Sequence, residues 1–403
     1  SNKIYSRAKK IIPAGSQTFS KGVTQFVEGF APKYLHRGKG AYSWDVDQNK
    51  YLDYVMGCQP IILGYADPDV NKAVVEQLKL GSTFSLMNKL EIDVTELLID
   101  KIPCAEAARF GKNGADVTTI AVRVARSVTG RDHIAYCGYH GWHDWYIANT
   151  DLNSGIPKFN QKLAHSFNYN DLDSLEKIFK KNPDKVACVI MEPLTILEPA
   201  CYGSKNCKKK GCKKFCQKNF LSEVKKMAHH YGALLIFDEI ITGFRFSLGG
   251  AQELTNVTPD LATFAKAISN AIPLSAIVGK KEYMSELSNT FFSFTYGGDC
   301  IGLAAAKACI PKLEKEDVAG HLNIVGIKLK EGFNELAKNH GLQEFVECIG
   351  YPCRSIISFN GQKKHDDLEI KSFFQQELIR RGILWAAYHA LSWSHKDKDI
   401  KKT

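Results

Sequence analysis

Short, continuously apolar runs recur along the middle of the chain. They are His133-Ile134-Ala135-Tyr136-Cys137, Val186-Ala187-Cys188-Val189-Ile190-Met191, Ala233-Leu234-Leu235-Ile236-Phe237 and Leu261-Ala262-Thr263-Phe264-Ala265. Runs that do not alternate with polar positions predict strands buried on both faces, as in a parallel sheet. Each run ends at a polar or aromatic group: Tyr139 and His140, Glu192, Asp238 and Glu239, and Lys266. Segments with helical spacing, 171–181 and 221–230, lie between them. Alternating strand and helix predicts an α/β fold with a mostly parallel sheet flanked by helices. The four endings then line one edge, the edge at which such sheets bind ligands.

Upstream, Val117, Ile120, Ala121, Val124, Ala125 and Val128 fall on one face of a helix that Gly130 ends. The turn before it, Gly111-Lys112-Asn113-Gly114-Ala115-Asp116, leads glycine into a helix N-terminus. Free backbone N–H groups and the positive dipole end make such a turn a phosphate cradle; ordinary capping is the alternative. The N-terminal part predicts a short helix over 6–12, a Gly/Ser/Thr-rich loop to Gly29, two strands over 42–55 around an Asp/Gln/Asn turn, and helices over 67–81 and 90–100. Beyond Gly298 the pattern changes to helices over 301–313 and 321–340, strands over 345–349 and 354–359, a helix over 367–381 and a short strand at 383–385. That predicts a smaller α+β domain. The expected organisation is an N-terminal segment 1–55 contributing to the small domain, a large domain 56–297, and a C-terminal small domain 298–403.

The 403 residues are 44% hydrophobic and 24% charged, ordinary values for a globular protein of about two or three domains. No apolar run approaches the ~20 residues of a membrane span, and Ser1-Asn2-Lys3-Ile4-Tyr5 lacks a signal-peptide core. A cytoplasmic protein is expected, acting on small molecules with neither nucleic acid nor membrane as partner. The net charge of +10 is partly local, with lysines at 205, 208–210, 213, 214 and 218 and again at 396, 398, 401 and 402. No nucleic-acid module accompanies it, and the surplus favours acidic or phosphorylated substrates at most. Cys201, Cys207, Cys212 and Cys216, spaced C-x5-C-x4-C-x3-C, are a candidate structural zinc set; incidental thiols on a lysine-rich loop are the alternative.

A carboxylate and a lysine delivered to one strand edge are the pair that pyridoxal 5′-phosphate (PLP) requires. Lysine forms the Schiff base, and the carboxylate keeps the pyridine nitrogen protonated so that the ring accepts electrons. A strand-end cap and a solvated lysine are the plain alternative. An NAD-dependent oxidoreductase is disfavoured because no G-x-G-x-x-G follows an early strand.

Specific stretches then carry a resemblance. Gly40-Ala41-Tyr42-Ser43-Trp44-Asp45-Val46-Asp47, Asn113-Gly114-Ala115-Asp116, Tyr139-His140-Gly141, Glu192-Pro193, Asp238-Glu239-Ile240-Ile241-Thr242-Gly243-Phe244-Arg245, Ala265-Lys266-Ala267 and Thr295-Tyr296-Gly297-Gly298-Asp299 occur in one order across nearly the whole chain. With them the chain resembles the fold-type I PLP enzymes of the class III aminotransferase family, and most of all glutamate-1-semialdehyde aminomutase and its relatives. The resemblance implies PLP as cofactor and a homodimer with shared active sites. Lys266 is the implied Schiff-base lysine and Asp238 the partner of the pyridine nitrogen. Ile240 and Tyr139 are implied to pack on opposite faces of the ring, and the backbone of Gly114 and Ala115 to bind the phosphate. Thr295 is implied to reach the phosphate in the neighbouring subunit, Glu192 to orient Asp238, and His140 to stand behind it or to serve only packing. The chain ends sooner than family members do and begins without Met, so it is expected to be a trimmed piece, its small domain truncated.

The departures bear on substrate. The aminomutase uses an arginine in the N-terminal loop for the substrate carboxylate, whereas Ser16-Gln17-Thr18-Phe19-Ser20-Lys21 offers only Lys21. Lysine is a point charge without the bidentate fork. Asn-Gly-Ala-Asp stands where relatives often have Ser-Gly-Thr-Glu, and Ser269-Asn270-Ala271 replaces a glycine-rich run after the lysine. Lys21, Phe84 and Ser85 are the candidate substrate contacts. The expected function is amino transfer between an amino acid donor and a small ketone or aldehyde, phosphorylated or not. An aminomutase and, from another class, a non-catalytic binding protein on the same fold are the alternatives.

Overall fold

The computed structural model describes residues 1–203, 215–361 and 366–403. The chain forms two compact units, 72–314 and a second made from 1–71 together with 315–403. The expected boundaries had fallen at 55/56 and 297/298. The helix Cys300–Lys315 lies almost wholly in the larger unit: a side chain on Gly302 would meet the Pro273 carbonyl at 2.7 Å, and Cys309 Sγ lies 3.6 Å from the Ala267 carbonyl.

The larger unit holds a seven-stranded sheet. Its order is Ala107–Gly111, Ser275–Gly279, Leu261–Phe264, Leu234–Asp238, Val186–Met191, His133–Cys137 and Ala164–Ser166. The last five run parallel to one another, and the first two pair antiparallel. The three central runs are buried at every position, as their unbroken apolar sequence predicts. The helix Gly114–Thr129 packs its apolar stripe, Val117, Ile120, Ala121, Val124 and Ala125, against the sheet. Each such fully buried branched side chain contributes roughly 1.5–3 kcal/mol relative to exposure. Side-chain caps start the crossover helices. Asp171 accepts from Ser174 N ahead of Leu172–Lys181, and Asn219 accepts from Ser222 N ahead of Phe220–His230.

The pattern did not disclose the strand Ser275–Gly279 or its antiparallel direction. A short buried run has the same composition whichever way it points. The strand Ala164–Ser166 is only three residues long and lacked a signal.

The smaller unit carries two sheets. Leu35–Lys39, Tyr42–Asp45, Lys50–Asp53 and Ile383–Leu384 form one, in which Leu52 pairs with Ile383 from the other end of the chain. Val346–Tyr351, Arg354–Phe359 and Tyr388–Ala390 form the other. Among the described residues no helix is long and apolar enough to cross a membrane.

Candidate active site

Strand order brings the predicted endings together. The strands that lead to His140, Glu192, Asp238 and Lys266 are four consecutive neighbours in the sheet. Asp238 is the last residue of its strand and pairs with Thr263, three positions before Lys266. It is 3% exposed. Its Oδ2 lies 2.7 Å from His140 Nδ1, and its Oδ1 accepts from Ile240 N at 3.2 Å and Thr263 Oγ1 at 3.5 Å. A carboxylate only accepts, so His140 carries its proton on Nδ1.

The His140 ring is packed by Trp145, stacked at 6.1 Å, and by the edges of Tyr136 and Tyr146. Its Nε2 is buried without a hydrogen-bond partner among the described residues. Helix Gly114–Thr129 fixes this box. Thr118 Oγ1 donates to the His140 carbonyl at 2.8 Å, and Thr119 Oγ1 accepts from Trp145 Nε1 at 2.9 Å. Sequence reasoning missed Trp145, Tyr146, Thr118, Thr119 and Thr263. The run Trp142-His143-Asp144-Trp145-Tyr146 directly after His140 was the one signal available.

The start of that helix faces the same place. Gly114 and Ala115 supply first-turn N–H groups that have no intrahelical acceptor. The Asp116 carboxylate is taken up one step earlier, accepting from Lys112 N at 3.0 Å and Asn113 N at 2.7 Å. A side chain on Gly114 would lie 2.6 Å from Ile240 Cδ1, so the missing Cβ lets the helix start close on Ile240. Gly141, at φ +104°, approaches Ala115 closely enough that its own Cβ would sit 2.7 Å from that residue's. The turn after one strand, the helix start and the Asp238–Ile240 strand end therefore enclose one spot.

Glu192 was expected to orient Asp238. Instead its Oε1 accepts from Tyr139 N at 2.8 Å and so holds the Tyr139 turn, while His140 holds Asp238. The two adjacent carboxylates share the work because Glu192 ends the neighbouring strand, one strand spacing away. Tyr139 is 62% exposed, and burial of its hydroxyl together with the Asp238 charge raises its pKa above the usual phenol value. Glu239, pointing the other way, is fully buried and pins the following loop through Thr242 Oγ1, Ala251 N at 2.8 Å and Gln252 N at 3.0 Å. Burial pushes its pKa up.

Lys266 follows the strand Leu261–Phe264 and opens a tight turn over Lys266–Ser269. It adopts φ +48°, the left-handed region that costs a non-glycine residue roughly 1–2 kcal/mol. Asn270 at +48° and Ala271 at +79° continue in that region. The backbone thus follows a path that glycine adopts most readily at three positions where this chain has none. Strain concentrated beside an ionisable residue in a ligand-side turn is a feature of functional sites.

Thr295 is exposed on the segment after Phe292, outside the enclosed set. The end of that segment is tied to the turn before Gly114 by Lys112 Nζ to Asp299 Oδ2 at 2.6 Å. Phe84 and Ser85 are also exposed in the larger unit, and Lys21 lies in the smaller one. Of the cysteine set, Cys207 and Cys212 lie outside the described residues. Cys201 and Cys216 come together, each with Sγ within 3.6 Å of where a Cβ on Gly203 would stand. No group of three or more potential metal ligands occurs among the described residues.

The donor set suits PLP. A buried carboxylate backed by an imidazole can face a pyridinium, free helix-start amides can face a phosphate, an aliphatic side chain can face a ring, and a lysine is at hand for a carbonyl.

Comparison with known proteins bears on the same residues. The model of the family described as aminotransferase class-III matches residues 28–353. The 3-aminobutyryl-CoA aminotransferase of Cloacimonas acidaminovorans (strain Evry) is 36% identical over 405 residues, covering 99% of this chain and 94% of that protein. The glutamate-1-semialdehyde 2,1-aminomutase of Francisella tularensis subsp. holarctica (strain LVS) is 32% identical over 426 residues, covering 99% and 95%. Among solved structures, the PLP internal aldimine form of FumI from Sphingopyxis sp. MTA144 matches with a TM-score of 0.88 at 25% identity, over 100% of this chain and 93% of that one.

Proposed function

The chain belongs to the class III aminotransferases, a PLP-dependent family, and from that premise we propose that it moves an amino group between an amino acid donor and a small ketone carried as an acyl thioester. PLP supplies the electron sink that lets a proton leave the carbon bearing the amine. Lys266 Nζ would hold the cofactor through its carbonyl carbon and, when free, would be the group that moves a proton at the carbon bearing the amine. Asp238 keeps the pyridine nitrogen protonated, and His140, donating from Nδ1, keeps Asp238 in place. Gly114 and Ala115 offer their amides to the phosphate. Ile240 and Tyr139 cover the ring faces, with Glu192 fixing the Tyr139 turn. Thr295 serves the phosphate site of a second copy, which makes the working form a homodimer.

The observation that carries the substrate class is the loop Ser16-Gln17-Thr18-Phe19-Ser20-Lys21. A glutamate semialdehyde presents a free carboxylate, for which a bidentate guanidinium is the fitting partner. A thioester has no such carboxylate, and a loop without arginine suits it. The 36% identical relative acts, by its name, on a thioester of this kind. The aminomutase reading keeps the support of the 32% identical relative and makes a different demand on experiment.

The test follows the absorbance of the PLP-loaded protein. Addition of L-glutamate should convert the lysine-bound band to that of pyridoxamine phosphate, and acetoacetyl-CoA should restore it; Lys266→Ala should lack the first band. Turnover of glutamate-1-semialdehyde without any external donor, together with no response to the thioester, would replace this reading by the aminomutase one. Absence of a PLP band at any concentration would remove both.

A further inference from the structure

Lys112 leaves the strand Ala107–Gly111 where Gly111 pairs with Ser275, the first residue of the strand Ser275–Gly279. Its side chain therefore starts beside the chain that arrives from the Lys266 turn. The ammonium group donates to the Pro273 carbonyl at 3.1 Å and to Asp299 Oδ2 at 2.6 Å. The Asp299 carboxylate also accepts from Gly302 N at 3.1 Å, at the start of the helix Cys300–Lys315. The Lys112 and Asp299 side chains are only 16% and 17% exposed, so water competes little for the pair. The backbone end of Lys112 is fixed as well, its N–H donating to Asp116 Oδ2 at 3.0 Å.

Three pieces of the larger unit thus meet on one ammonium group. The first is the turn that leads into Gly114 and Ala115. The second is the chain that runs from the left-handed residues Lys266, Asn270 and Ala271 to Pro273. The third is the start of Cys300–Lys315. Room for the cation depends on a missing side chain, because a Cβ on Gly302 would stand 3.3 Å from Lys112 Nζ and 2.7 Å from the Pro273 carbonyl. An ammonium has several donors, so one group can tie a carboxylate and a carbonyl at once, and charge-assisted bonds are roughly twice as strong as neutral ones. A ligand held by amides at one end and by a lysine at the other binds well only when the spacing of those two anchors is fixed.

We propose that Lys112 is a positioning residue that fixes the amides of Gly114 and Ala115 relative to Lys266. The inference rests on the assignment of the cofactor phosphate to those amides under the proposed function. PLP is held at its phosphate and at its carbonyl carbon, so a shift of one anchor against the other lowers its affinity. Pyridoxal has the carbonyl and no phosphate, and a displaced turn leaves its binding untouched. Lys112 itself takes no part in the chemistry.

The experiment titrates the cofactor-free full chain with PLP and, separately, with pyridoxal, following the absorbance of the lysine-bound form. The wild type should prefer PLP. Lys112→Met should bind PLP about tenfold or more weakly and pyridoxal as before. Asp299→Asn keeps an oxygen for Gly302 N and loses the charge; it should show the same selective loss, about threefold. Lys112→Met/Asp299→Asn should stay as weak as Lys112→Met, because the clip is absent from both. An unchanged PLP preference in Lys112→Met overturns the proposal, and if that variant does not fold, an unchanged preference in Asp299→Asn does so. An equal loss of PLP and pyridoxal overturns it too, since it marks a purely structural role. Recovery of PLP affinity in the double variant does the same, by reducing Lys112 to a counter-charge for Asp299. Equal affinity of the wild type for PLP and pyridoxal is a separate failure: it removes the phosphate assignment, and the proposal with it.

Discussion

Replacing His140 by leucine tests how the candidate site holds its carboxylate. Asp238 is buried to 3% exposure, and among its three donors the imidazole is the nearest, at 2.7 Å. Leucine fills a comparable space inside the box of Trp145, Tyr136 and Tyr146, so the packing loss is small. What disappears is a donor to an ionised group, worth about 1.5–3 kcal/mol. The remaining donors, at 3.2 and 3.5 Å, cannot make up the loss because the second is at the limit of a hydrogen bond. If Asp238 acts on the pyridine nitrogen, the same energy appears in cofactor retention. PLP should bind about 10–100-fold more weakly to His140→Leu, and the half-reaction with L-glutamate should slow by a comparable factor. His140→Gln retains an N–H donor and should recover part of both losses. The assay is an absorbance titration of the cofactor-free protein with PLP, paired with urea unfolding to separate lost folding from lost binding. Wild-type PLP affinity and half-reaction rate in a folded His140→Leu protein would refute the reasoning, because the shortest bond to Asp238 would then contribute nothing.

Other perturbations are as direct. Gly114→Ala places a methyl 2.6 Å from Ile240 Cδ1, the far end of a flexible side chain; stability should change by less than about 1 kcal/mol while PLP affinity falls about tenfold, read by the same titration. Ala271, exposed at φ +79°, should gain roughly 0.5–1 kcal/mol on replacement by glycine, because relief of left-handed strain exceeds the added chain entropy; a lower urea midpoint in Ala271→Gly would contradict this. His389 is fully buried, and burial, reinforced by His395, lowers its pKa from 6.5 to about 3. Its folded form resists protonation, so its contribution is complete above pH 6.5 and is lost as pH falls from there toward 3, by about 1.4 kcal/mol per unit. Urea midpoints between pH 7 and 5 should therefore decline with acid, and His389→Phe should flatten that slope.

The apolar runs and their polar endings made much of the larger unit and its candidate site legible, and the reason is geometric. In a parallel sheet every strand delivers its last residue to the same edge, so Glu192, Asp238 and Lys266 could be grouped without knowing a single contact. What the pattern could not carry was everything decided by the partner of a group and not by its place on a strand. Glu192 and Asp238 end adjacent strands with the same chemistry, yet one holds a backbone amide and the other an imidazole. That choice depends on the turn 138–141, whose path is set by how closely Gly141 can approach Ala115. The left-handed stretch at Lys266, Asn270 and Ala271 was hidden for the opposite reason. Its residue types do not announce the conformation that glycine would, and only the surrounding fold imposes it.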